Sequence, residues 1–118
     1  MSPVDRPMEG DVLSFRLDDE IRALKAQMGP GRDRLGHTLV KEGPLRITLV
    51  MILPAGMISP HAADGAVAIQ VLEGSISLDV AGTTKDLGTG ALITLAPGIR
   101  HAVASATGAT LLLTLAAG

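Results

Sequence analysis

SPHAADGAVAIQVLEG, residues 59–74, sets His61 ahead of a loop of small residues and an apolar run that stops at Glu73-Gly74. Just downstream, Ile76, Leu78 and Val80 alternate with Ser75, Ser77 and Asp79, the period of a half-buried antiparallel strand. AGTT (81–84) reads as a hairpin turn, TKDL (84–87) as a short strand and GTGA (88–91) as another turn. LITL (92–95) then meets APGI (96–99), where Pro97 and Gly98 suit the second and third positions of a type II turn. RHAVASA (100–106), a turn at Thr107-Gly108 and TLLLTLA (110–116) follow. Upstream, HTLVK (37–41), the turn EGP (42–44) and LRITLVMIL (45–53) have the same texture, up to Pro54. Turn signals this evenly spaced from Gly36 onward predict an all-β sandwich or barrel.

Before the β region, Leu17, Ile21, Leu24 and Met28 recur at helical spacing, with Asp18 as the N-cap and Gly29-Pro30 as a stop. The spacing predicts one short helix over about residues 19–28. GPGRDRLG (29–36) is a linker, since it opens no helix and carries no Gly-Lys-Ser/Thr phosphate loop. The chain thus divides into an N-terminal arm and short helix (1–35) and a barrel (36–118). The helical stripe is read as packing against that barrel.

The chain has 118 residues, 47% of them hydrophobic and 19% charged, with a mean hydropathy of +0.39. That is one compact domain, too apolar to be disordered. The formal net charge is -2, no basic run stands out, and Phe15 is the only aromatic residue. A nucleic-acid surface needs phosphate-tracking cations or stacking rings, so nucleic acid is not an expected partner. With no cysteine, disulfides, thiolate metal sites and cysteine nucleophiles are excluded. No apolar run approaches the ~20 residues that span a bilayer, and the first residues lack the apolar run of a signal peptide. No membrane partner and a cytoplasmic location are therefore expected.

Two motifs carry a resemblance. His61 and Gly74 stand thirteen positions apart, ending in VLEG (71–74), and GALITLAPGIRH (90–101) supplies Gly90, Pro97, Gly98 and His101 in order. In this the chain resembles the cupin superfamily, over roughly residues 45–115, and in particular its small single-domain members. The resemblance implies a double-stranded β-helix, or jelly roll, with one short N-terminal helix added here. Cupin enzymes hold a divalent metal (Fe, Mn, Zn or Ni) through three His and one Glu. Carried over position by position, those ligands fall on His61, Ala63, Val67 and His101, so two of the four are missing. A stable non-haem site normally needs three protein ligands.

Alternation from an inward His61 places Ala63 inside, with Val67, Ile69 and Val71 sharing that interior face. The expected pocket is His61, Val67, Ile69, Val71, His101, Val103 and Ser105, with Leu49 and Met51 as further candidates for its wall. The two imidazoles should lie within a water-bridged distance, as a two-histidine metal site or as barrel histidines bonded to each other, to Ser105 or to water. Asp64 is the one nearby carboxylate, and the alternation turns it away. His37 is a candidate third imidazole or an edge residue, and Gln70 a pocket amide or a sheet-surface group. Arg46, interrupting an apolar strand, is an anion binder or a stem lying across apolar surface. Glu73 is a solvated turn residue, and the facing of Arg100 is open.

These residues suggest a small-molecule-binding cupin, with a divalent metal held loosely if at all and no catalytic role assigned to any residue. The alternative is a metal-dependent enzyme, a dioxygenase or isomerase, working from the two histidines. A filled structural barrel is the third. Residues 45–53 and 110–116 are apolar on both faces, more than one short helix covers, and a homodimer is expected to cover the rest.

Overall fold

The computed structural model describes residues 12–29 and 33–117. One helix, α1 (Leu17–Lys25), precedes eight strands: β1 (Arg34–Glu42), β2 (Leu45–Ile52), β3 (Gly56–His61), β4 (Ala66–Val80), β5 (Thr83–Gly88), β6 (Leu92–Leu95), β7 (His101–Ser105) and β8 (Ala109–Ala116). Every pairing is antiparallel. The order runs β1-β2-β8-β4-β7-β3, and β5 and β6 also pair with β4.

β4 joins the two layers of this curled sheet. Its first half pairs with β8 and β6, and its second half with β7 and β5. Between the halves the register with β8 shifts between Val71 and Glu73, and Gly74 takes φ +77°. A Cβ at Gly74 would overlap the carbonyl oxygen of Gly108, so glycine answers both the backbone angle and the close approach. Val67, Ile69 and Val71 before the bend, and Ile76 and Leu78 after it, all reach the interior. They meet Val50, Ile52, Leu95, Val103 and Leu111 in one core, which makes this an all-β barrel of curled antiparallel sheet.

The local turns follow their sequence signals. Ala81 (φ 52°) and Gly82 (φ 80°) form the two-residue hairpin between paired Val80 and Thr83. Gly98 takes φ 79° after Pro97, as a type II turn requires.

The helix is displaced from its expected place. It starts at Leu17, Arg16 is the N-cap without a side-chain bond, and Asp18, Asp19 and Glu20 fill the first turn. Acidic side chains there are favoured by the exposed N–H groups and the helix dipole, so Asp18 is useful inside the helix rather than ahead of it. The C-cap is Ala26, and Met28 lies beyond the helix, 44% exposed. Leu24 is buried with Leu35, Leu49 and Met51, and Ile21, Leu72 and Leu112 pack around them. This second cluster covers the outer face of β2, so Leu49 and Met51 face the helix and not the pocket; Val50 and Ile52 point inward. In a strand apolar on both faces nothing in the side-chain pattern marks which face is inner. It follows that much of the second apolar face is covered within a single chain.

Candidate functional site

His61 ends β3, His101 begins β7, and the two are directly opposed in register. Opposed residues turn their side chains to the same face, which brings the imidazoles together. The ring centroids are 4.3 Å apart with planes tilted by 54°. The two rings are immediate neighbours.

Each ring is fixed in the same manner. His61 Nδ1 lies 3.0 Å from the carbonyl oxygen of Ser59, and His101 Nδ1 lies 3.0 Å from that of Ile99. A carbonyl only accepts, so each Nδ1 donates, and each neutral ring keeps its lone pair at Nε2. This is the orientation that a histidine needs to ligate a metal or accept a proton through Nε2. His101 is buried, while His61 is exposed at the rim.

The histidines open onto a cavity of about 370 Å³. The register of β2, β8 and β4 stacks its far wall in rungs. Arg46, Leu115 and Val67 form the outermost, Thr48, Leu113 and Ile69 the next, and Val50, Leu111 and Val71 the third. The first two rungs and Leu111 line the cavity; Val50 and Val71 do not. Ile58, Ala63 and Val103 complete the histidine side, and Thr38 and Lys41 come from β1.

Of the residues expected in the pocket, His61, Val67, Ile69, His101 and Val103 are brought together. Val71 and Ser105 are not in the lining. Val71 is fully buried one rung too deep. Ser105 lies beyond Val103 on the inward face of β7, where its hydroxyl donates to the Ser75 carbonyl (2.7 Å) and accepts from Gly108 N–H (3.0 Å). It ties β7 to the bend of β4 and is not a partner of the histidines.

His37 is buried but sits opposite Leu49, on the helix side of the sheet, and cannot join the imidazole pair. Gln70, opposite Leu112 and Leu92, is exposed on that same outer face. Asp64 and Arg100 are exposed and outside the lining. Glu73 accepts from the Thr110 hydroxyl (3.1 Å) and pairs with Lys25 (3.2 Å), which pins the helix to the β4 bend.

Sequence reasoning missed Lys41, Thr38 and Thr48. The register of β1 slips between Thr38 and Val40, and this irregularity turns Lys41 to the cavity. A bulge of this kind has no residue signature, although the apolar pair Leu39-Val40 does break the alternation.

Among the described residues, the ionisable lining is Lys41, Arg46, His61 and His101, with no carboxylate. Ala63 and Val67 hold the two positions where the resemblance would place further metal ligands, and both face the cavity. Among the described residues, no group of three His, Cys, Asp or Glu is placed to hold a metal ion. The donor set therefore does not fit a tightly held metal. What it offers is two Nε2 atoms on an apolar chamber with a cationic rim.

Comparison with solved structures gives the same architecture. A conserved protein of unknown function from Streptococcus pyogenes is similar over 100% of this chain and 96% of its own, at 23% identity and a TM-score of 0.72. A cupin superfamily protein from Desulfitobacterium hafniense matches over 80% of this chain and 87% of its own, at 15% identity and a TM-score of 0.74. Salicylate 1,2-dioxygenase from Pseudaminobacter salicylatoxidans matches 87% of this chain at 17% identity and a TM-score of 0.78, but only 34% of that enzyme is covered. Identities this low establish shared fold alone. No functionally curated sequence matches significantly. The family model described as the cupin domain matches residues 48–116, more than half of the chain and both histidine motifs, so the chain belongs to the cupin family.

Proposed function

We propose that this protein is a small-molecule-binding cupin whose chamber takes a compact organic ligand without a tightly held metal. The observation that carries the reading is the composition of the cavity. Its volume, about 370 Å³, falls in the range of about 300–1,000 Å³ used for small ligands. Its walls are aliphatic, its few polar groups converge from β1, β2, β3 and β7, and two metal-ligand positions are apolar. Apolar walls gain by excluding water, and the few polar groups orient what enters.

A metal-dependent reaction, of dioxygenase or isomerase type, is the second reading. One observation favours it: both Nε2 atoms are left available by the Nδ1 bonds. An ion held by two imidazoles alone exchanges readily and is lost in acid, where imidazolium cannot coordinate.

Ligand-observed NMR with small aliphatic and aromatic probes tests the chamber, with Ala63→Phe as the occluding variant. Probes should bind the parent and not the variant, whose melting temperature and circular dichroism should stay near those of the parent. Equal binding to both would place the ligand elsewhere.

A homodimer is part of the same proposal. With α1 over β1 and β2, its interface would be the remaining outer strip on β4, β6 and β8, where Leu92 is 64% exposed beside Gln70. Light scattering should find a dimer that Leu92→Lys weakens; a monomer at micromolar concentration would end that part of the reading.

A further inference from the structure

The geometry points to an organic carboxylate with an apolar body as the chamber's ligand class, its carboxylate gripped by Arg46 and Lys41 at the rim. This rests on the small-molecule reading above and specifies its chemistry. Lys41 and Arg46 are directly opposed in the β1–β2 register, and both line the cavity. Both thus bring positive charge to the same end of the chamber. An anion seated there gains charge-assisted hydrogen bonds, which the planar guanidinium offers in a two-pronged form.

The pairing depends on the β1 irregularity. In an unbroken β1 the face carrying Thr38 would continue through Val40 to Glu42, a carboxylate. The slip between Thr38 and Val40 instead sets Lys41 opposite Arg46. Bulges commonly re-aim a side chain beside a site, and this one exchanges an anion for a cation at the rim. Among the described residues, no acidic side chain lines the chamber. The Arg46 side chain makes no hydrogen bond or ion pair among the described residues.

What lies beside the cations sets the rest of the ligand. Arg46 is flanked in register by Leu115, which is flanked by Val67, and Leu113 and Ile69 lie one rung deeper. An inorganic anion would satisfy the rim and leave this wall wet. A neutral apolar molecule would fill the wall and leave the Arg46 guanidinium without an anion. A carboxylate on an apolar body meets both, and Thr38 and Thr48, opposed one rung below, add hydroxyl donors near the junction.

Calorimetric titration of the full chain with butanoate, hexanoate, octanoate and benzoate, each against its amide, tests this. The best carboxylate should bind at least about tenfold more tightly than its amide, equivalent to about 1.4 kcal/mol. Arg46→Met, which keeps the stem and removes the charge, should abolish that preference. Amides that bind as tightly as carboxylates would overturn the anion assignment and leave the chamber reading standing. Inorganic phosphate binding as tightly as the best carboxylate would overturn the apolar body. No binding by any member would overturn both readings.

Discussion

Replacing Gly74 by alanine should cost the fold far more than the same change at Gly82, although the two have nearly the same backbone angle. Gly74 has φ +77° and Gly82 φ +80°, a region that costs an L-residue roughly 1–2 kcal/mol. At Gly82 a Cβ would meet nothing within 4 Å, so that penalty is the whole effect. At Gly74 the added Cβ would overlap the Gly108 carbonyl oxygen and stand 2.9 Å from Ala109 Cα. Both obstacles are backbone, and Gly74 is paired with Ala109, so relief requires parting β4 from β8 where β4 changes layers. Overpacking of this kind adds about 1–3 kcal/mol. The totals are then about 2–5 kcal/mol for Gly74→Ala and about 1–2 kcal/mol for Gly82→Ala. At roughly 4 °C per kcal/mol for a domain of this size, melting should fall by about 8–20 °C and about 4–8 °C. Thermal unfolding followed by circular dichroism, at one fixed protein concentration, measures both. Melting temperatures within a degree or two of each other would refute the argument that the bend needs its glycine for space.

Restoring the absent donors should create a metal site, because positions 63 and 67 face the same cavity as His61 and His101. Ala63→His with Val67→Glu should hold one cobalt ion per chain through dialysis, with the visible absorption of protein-bound cobalt; no uptake would show that these side chains do not converge. Leu24→Ala should destabilise the protein by about 2–5 kcal/mol, because Leu24 is 2% exposed and anchors α1 on Leu35, Leu49 and Met51. Denaturant titration reads that loss directly, and a change below half a kcal/mol would mean that the helix contributes little cover to the sheet.

The parts legible in the sequence are those set by local chemistry. Ala81-Gly82 and Pro97-Gly98 announce their turns because few residues tolerate the required angles. His61 and His101 could be matched from motif spacing, since a strand fixes the face of each residue once one is known. β2 resisted the same treatment, because Leu49, Val50, Met51 and Ile52 are all apolar and both of its faces are covered. Lys41 was hidden by the β1 slip, which is a property of the pairing with β2 and not of β1 alone. Alternation puts Val71 and Ser105 on the inward face, and the structure buries both outside the cavity lining. Alternation gives facing, whereas depth is decided by the register across β2, β8 and β4 and by the hydrogen bonds of the β4 bend.

This barrel keeps two imidazoles on its chamber and has apolar side chains where further metal ligands would stand. Elemental analysis of protein purified without a polyhistidine tag, before and after prolonged dialysis against a chelator, reads the consequence. Well below one metal ion per chain should remain after dialysis, with the fold intact by circular dichroism. One ion per chain that survives the chelator would overturn this reading and bring the metal-dependent one to the front.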